Sequence, residues 1–352
     1  MSLLKHVNWV KVAGRPTRYS CISYEENPDP NMQDYFTFLL IPGNPGNDLF
    51  YENFGQQFVQ EISKKQTGSA TIYTISHLNH APKDKGCSTT QQELFNLSEQ
   101  IEHKLDFCRE HLSKNRSLYL VGHSIGAYIC LRMLDQLKKE GWIVSGCYCL
   151  FPAVERMAKT PSGQKVIPLI QFVNEHHYLA YLLTWCLKSL PNCLKHWITR
   201  MAVGKLAPEC VIKAAVELVD PLVLANIAHM ASNELEIVTT FDETIINPAN
   251  KHLIHFYYGV DDGWSPLHWS DKMRERLPPG RVFVDNTGCE HAFVVNHSEV
   301  MAIKLSEMVA DHMIKDGKTW ILREMNDDHR RAREQLVVWL CKYRCAYPTG
   351  WV

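Results

Sequence analysis

The chain has almost no net charge: 37 Lys and Arg stand against 38 Asp and Glu, a formal charge of -1 over 352 residues. Phosphate backbones are bound through clustered basic groups, so the composition gives no footprint for a nucleic-acid partner. Metal-ligand spacing is missing too. The 12 cysteines form no C-x-x-C pair and no zinc pattern, Cys147-x-Cys149 and Cys341-x-x-x-Cys345 being merely close in sequence. No metal is expected, and the cysteines are expected to be thiols in a cytosolic setting. The first ten residues lack a basic end followed by an apolar core, which argues against a secretory signal. The Asn-x-Ser sequences at Asn96, Asn115 and Asn296 are then read as chance. No apolar run reaches the about 18–20 residues that a membrane span needs.

What the chain does have is enough apolar matter, 45% of residues, for one large α/β domain or two small ones. Its organising stretch is Leu118-Tyr-Leu-Val-Gly-His-Ser-Ile-Gly126, an apolar run that ends in Gly-x-Ser-x-Gly. A strand entering that pattern and leaving as a helix reads as a nucleophile elbow, which lifts a serine hydroxyl above a parallel sheet. Such a turn strains the serine backbone and leaves no room for side chains two positions to either side, hence Gly122 and Gly126. Ser124 is the expected nucleophile. The helix after it, expected from about 127 to 139, aims its N-terminal amides at the site, so the Ile125 amide is a candidate for an oxyanion hole.

Upstream, alternation on either side of Gly14-Arg-Pro16 suggests an edge hairpin over 7–25. Phe36-Thr-Phe-Leu-Leu-Ile41 reads as a strand buried on both faces, and it ends in Pro42-Gly-Asn-Pro-Gly46. In a hydrolase of this type the loop after that strand brings the second oxyanion amide, so Asn44 is the candidate donor through its backbone. A helix over 51–64, a strand over 70–75 and a long amphipathic helix between Gln91 and Leu112 complete a strand–helix alternation and thus a parallel sheet. His77 and His80 are expected to be ordinary loop residues.

After a strand at 146–151 the alternation stops. Residues 153–250 read as several helices, a cap that excludes water and shapes the acyl pocket. Val166–Val173 and Tyr178–Leu187 are apolar and aromatic, with Lys188, Lys195, Trp197 and Arg200 following. This pattern fits helices lying in a lipid surface or, equally, cap helices packed on the core. The sheet resumes at 252–259 and leads to Val260-Asp-Asp-Gly-Trp-Ser-Pro266, whose strand-end turn makes Asp262 the expected triad acid, with Asp261 and Asp220 as alternatives. A last strand over 281–285 leads to His291, the expected general base, ahead of a helix over 298–315; His297 is the poorer candidate.

The fold class expected is therefore α/β: an α/β-hydrolase fold, a mostly parallel sheet with helices on both faces and an inserted helical cap. Its parts are 1–152 and 251–318 for the core, 153–250 for the cap and 319–352 for a C-terminal extension. The motifs Ile41-Pro-Gly-Asn-Pro-Gly46, Gly122-His-Ser-Ile-Gly126, Tyr257-Tyr-Gly-Val-Asp-Asp-Gly-Trp264 and Glu290-His-Ala-Phe293 together resemble the lipid droplet-associated hydrolase family. The likeness runs from about Trp9 to Lys315. It implies Ser124, Asp262 and His291 as the triad of a cofactor-free serine hydrolase. It also implies neutral-lipid or sterol esters as substrates, and lipid droplets and the endoplasmic reticulum, on the cytosolic face, as the place of work. A droplet-surface protein with weak catalysis and a serine acyltransferase are the alternatives that the same residues allow.

Overall fold

The computed structural model describes residues 3–24, 35–65, 69–83, 93–204 and 206–315; the extension expected at 319–352 lies outside them. Strands β1 (Leu4–Val12) and β2 (Arg15–Ser23) form the antiparallel edge hairpin. Its turn is Ala13-Gly14, both at positive φ, the pairing a two-residue hairpin needs, so Pro16 already lies in the strand. Next come β3 (Tyr35–Ile41), α1 (Glu52–Lys65) and β4 (Ser69–Ile75). Helix α2 (Leu97–His111) starts later than its apolar periodicity suggests. The reason is local: Asn96 and Glu99 close a reciprocal capping box there, and Leu94 stays outside the helix.

Strand β5 (Ser117–His123), helix α3 (Ile125–Lys139) and β6 (Val144–Leu150) follow. Five helices then intervene: α4 (Pro161–Glu175), α5 (His177–Lys188), α6 (Asn192–Val203), α7 (Glu209–Glu217) and α8 (Pro221–Ile237). The core closes with β7 (Ile254–Tyr258), α9 (Trp269–Arg276), β8 (Val282–Val284), α10 (Phe293–Asn296) and α11 (Ser298–Lys315). The eight strands lie in the order β1-β2-β4-β3-β5-β6-β7-β8, parallel from β4 onward.

Period-two alternation divides the central strands between two cores. Leu39, Leu118, Leu120, Cys147 and Cys149 face α2, α3 and α9, while Phe38, Leu40, Tyr119, Val121 and Tyr148 face α1 and α11. Each large side chain buried this way removes about 1.5–3 kcal/mol of apolar exposure. Central strand β5 thus carries Ser124 at its carboxyl end, where open α/β sheets present their ligand sites.

The intervening helices divide as well. Helices α4 and α8 pack together, and α7 is tied to the core through Glu217, which accepts both from Arg18 (2.8 Å) and from Asn47 (2.7 Å). Helices α5 and α6 instead expose apolar side chains: Tyr178 at 81%, Trp185 at 54% and Trp197 at 63% of full exposure, and α6 buries none. Packing on the core therefore accounts for α7 and α8 and for one face of α4, whose Leu169 and Phe172 stay exposed, but not for the outer pair. No helix among the described residues is long and apolar enough to cross a membrane.

Candidate active site

The elbow follows from two backbone contacts. A Cβ on Gly122 would stand 2.4 Å from the Gly126 carbonyl oxygen, and one on Gly126 would stand 2.2 Å from that of Ile41. Only hydrogen fits at either place. Between them Ser124 takes φ 56° and ψ -122°, a conformation that costs a non-glycine residue about 1–3 kcal/mol. Hydrogen bonds hold it there: its amide donates to the Leu150 carbonyl, and its own carbonyl accepts from Ala127 and Ala153.

Its side chain meets two residues from distant loops. Ser124 Oγ lies 2.9 Å from His291 Nε2, and His291 Nδ1 lies 2.8 Å and 2.9 Å from the two oxygens of Asp262. Asp262 also accepts from the amides of Trp264 and Ser265. Burial disfavours its charge, but the hydrogen bond and charge of His291 and those two amides outweigh this and hold the carboxyl below its ordinary value. Asp261 is exposed and has no part in this set. Asp220 caps α8 and pairs with Lys188, and His297 caps α10.

The loop that carries His291 is shaped by Asp285, a residue the sequence reading passed over. It ends β8 and accepts from Tyr257 Oη (2.6 Å), from the amide and hydroxyl of Thr287, and from the Cys289 amide. On the other side, Asn44 and Ser124 line one cavity of about 430 Å³, with Met157, Val166, Ile227 and Trp264 as apolar walls. Neither the backbone amide of Asn44 nor that of Ile125 is engaged by an acceptor among the described residues. Glu234 of α8 also faces this cavity and takes a hydrogen bond from Asn44 Nδ2 at 3.1 Å. Burial pushes its pKa up to about 8 against that bond, so at neutral pH it is mostly an uncharged acid.

His77 and His80 depart from the expectation of ordinary loop residues. Both are buried beneath the Pro42–Gly46 loop, where His80 Nδ1 accepts from the Gly46 amide and the His77 amide donates to the Gly46 carbonyl. The His77 ring stands where a Gly46 Cβ would be, at 2.0 Å. They brace the loop that carries Asn44. With His103 and His123 they make four buried imidazoles whose pKa values burial drives down, to about 3 for His80 and His123.

The sign of the linked pH effect follows. Below about 6.5 the unfolded chain protonates these groups and the folded one does not, so stability falls with falling pH, by roughly 1.4 kcal/mol per pH unit for each imidazole. Asp262, with its lowered pKa, adds to the loss at still lower pH. Denaturant midpoints measured from about pH 7.5 down to 5.5 are expected to drop steeply, and His80→Gln is expected to flatten the slope.

A strained serine on a strand–turn–helix, hydrogen-bonded to a histidine that is itself hydrogen-bonded to a carboxylate, the two carried on the loops after β8 and β7 of a mostly parallel eight-stranded sheet, defines an α/β hydrolase. Solved structures share the fold. The peroxisomal alpha-beta-hydrolase Lpx1 of Saccharomyces cerevisiae superposes with a TM-score of 0.58 at 12% identity, over 99% of both chains. An esterase from Exiguobacterium antarcticum gives 0.53 at 14%, over 86% of this chain and 99% of its own. Within that class the chain belongs to the family described as lipid-droplet associated hydrolase, whose model matches residues 34–294. Relatives named lipid droplet-associated hydrolase are 32% identical in Gallus gallus (79% of this chain, 86% of theirs), 32% in Homo sapiens (79% and 85%) and 30% in Drosophila melanogaster (78% and 89%).

Proposed function

We propose that this protein is a serine ester hydrolase of neutral-lipid or sterol esters that works on the surface of lipid droplets and the endoplasmic reticulum from the cytosolic side. The observation that carries this reading is the Ser124–His291–Asp262 chain of short hydrogen bonds opening into an apolar cavity under a cap with an exposed apolar face. Family membership and the names of the relatives support the droplet and the hydrolytic chemistry.

The mechanism follows from the placement. His291 Nε2 accepts the Ser124 proton as Oγ attacks the ester carbonyl, and Asp262 stabilises the imidazolium and fixes its tautomer. The amides of Asn44 and Ile125 hold the oxyanion; the alcohol leaves with the proton from His291, and water then releases the acyl group by the same steps. No cofactor enters.

Two features support an acyl chain drawn from a lipid phase. The cavity beside Ser124 is walled by hydrocarbon, and a second apolar cavity of about 590 Å³ lies between α4, α5 and α8, with Val173 and Leu224 in its lining. Val166 and Val173 are seven residues apart on α4, hence on one face, so the same helix pair lines both cavities. Helices α5 and α6 carry exposed Tyr178, Trp185 and Trp197 and also the basic Lys188 and Lys195, the composition of interfacial helices.

The test pairs an emulsified sterol or glyceride ester with a short soluble one. Trp185→Ser and Trp197→Ser combined are expected to reduce flotation with artificial droplets and emulsion turnover by about tenfold, with soluble turnover within about twofold. An equal loss on both substrates would remove the lipid-surface role. That exposed face also favours a second reading, a droplet-binding protein of low turnover; undiminished flotation of wild type with negligible turnover on every ester would select it.

A further inference from the structure

Beside Ser124, in the wall of the same cavity, runs a continuous chain of hydrogen bonds. The Gly43 amide donates to Tyr51 Oη at 2.9 Å, Tyr51 Oη lies 2.7 Å from His123 Nδ1, and His123 Nε2 lies 2.8 Å from the His291 carbonyl oxygen. Chemistry fixes every proton. A carbonyl only accepts, so His123 Nε2 carries hydrogen; the neutral ring then offers a bare Nδ1, to which the Tyr51 hydroxyl donates while its oxygen accepts from Gly43. Tyr51 and His123 are both buried, so no water is needed to complete the set.

The chain ties together parts of the site far apart in sequence. Gly43 precedes Asn44, and a Cβ on it would already touch Ser124 Cβ at 3.0 Å. His291 is the base itself, reached here through its backbone. We propose that His123 and Tyr51 are positioning residues, which hold the Asn44 loop and the His291 loop at a fixed separation on the two sides of Ser124. The proposal rests on the hydrolase reading above. Catalytic geometry tolerates errors of only about 0.5 Å, and a displacement of about 1 Å costs on the order of 10²-fold in rate.

Neutrality of the bridging ring matters for the same reason. The His123 and His291 rings are 5.2 Å apart, so a charge on His123 would oppose the imidazolium that His291 must form. The burial of the ring and the hydrogen bond that Tyr51 donates to its bare Nδ1 both keep that charge away.

A purely structural role is the competing account, since the His123 ring also packs against Phe293 at 4.9 Å between centroids. Three variants separate the two: Tyr51→Phe, His123→Asn and His123→Gln. A glutamine places an N–H near the position of Nε2 and can still reach the His291 carbonyl, whereas an asparagine is too short. With a soluble short-chain ester, Tyr51→Phe is expected to lower kcat about tenfold with KM within about twofold. His123→Asn is expected to lose about 100-fold, and His123→Gln to recover about tenfold of that.

Nitrogen NMR of labelled histidine supplies a readout that needs no turnover. His123 is expected as the Nε2–H tautomer, without titration between about pH 5 and 8, and Tyr51→Phe is expected to abolish that single-tautomer signal. Equal kcat in the Asn and Gln variants, or a lower melting temperature with unchanged kcat in the folded protein, would overturn positioning. Failure of the hydrolase reading is distinct: folded wild type would be inert to ester and to a fluorophosphonate with the His123 tautomer intact, and the positioning role would fall with it.

Discussion

Ser124→Ala is expected to lower ester turnover by about 10⁶-fold, and His291→Ala in the same molecule is expected to add almost nothing. The reason is that nucleophile and base act as one unit. His291 Nε2, 2.9 Å from Ser124 Oγ, has a proton to take only while the hydroxyl is there. The residual rate of either variant reports the oxyanion amides and the apolar cavity alone, about 10³-fold over water. Turnover of the double variant multiplicatively below both singles would show that the two side chains act independently, contrary to the shared hydrogen bond.

Asp262→Asn is expected to cost about 10⁴-fold in kcat while Asp261→Asn stays within about twofold. The contrast comes from placement rather than from type. Asp262 is buried and accepts from His291 Nδ1 and two amides, whereas Asp261, one residue earlier, points to solvent. An asparagine at 262 keeps the shape, but its amide N–H can face Nδ1 and stabilise the tautomer with hydrogen on Nε2, which cannot accept the serine proton. Kinetics of the two variants on one soluble ester decide the assignment. Comparable losses, or the larger loss at 261, would reassign the acid.

The fold was legible wherever local backbone demands and apolar pattern agreed. The glycines of the elbow had to be glycine because each meets a neighbouring main chain, a constraint that shows in sequence as the motif itself. Strands β3, β5 and β6 are buried on both faces and read as apolar runs. The apolar periodicity overruns the start of helix α2 because it cannot see a cap, and Asn96 with Glu99 starts the helix after Leu94.

What stayed hidden depended on contacts across the chain. His77 and His80 look like unremarkable polar residues after a strand, and their burial arises only when the Pro42–Gly46 loop folds over them. His123 occupies a position the Gly-x-Ser-x-Gly pattern leaves free, and Tyr51 reads as the beginning of an amphipathic helix; their link is long-range. Asp285 could have been suspected, since Asp-Asn-Thr-Gly after a strand is turn chemistry. The apolar content of α5 and α6 was plain, but composition alone could not say whether those side chains face the core or the outside.

The central claim, that Ser124 is a competent nucleophile, is tested most directly by a fluorophosphonate probe on purified wild type and Ser124→Ala, with the modified peptide mapped by mass spectrometry. The account predicts stoichiometric labelling of wild type at Ser124 and none in Ser124→Ala. Folded wild type that takes up no probe, or labelling that survives in Ser124→Ala, would contradict it.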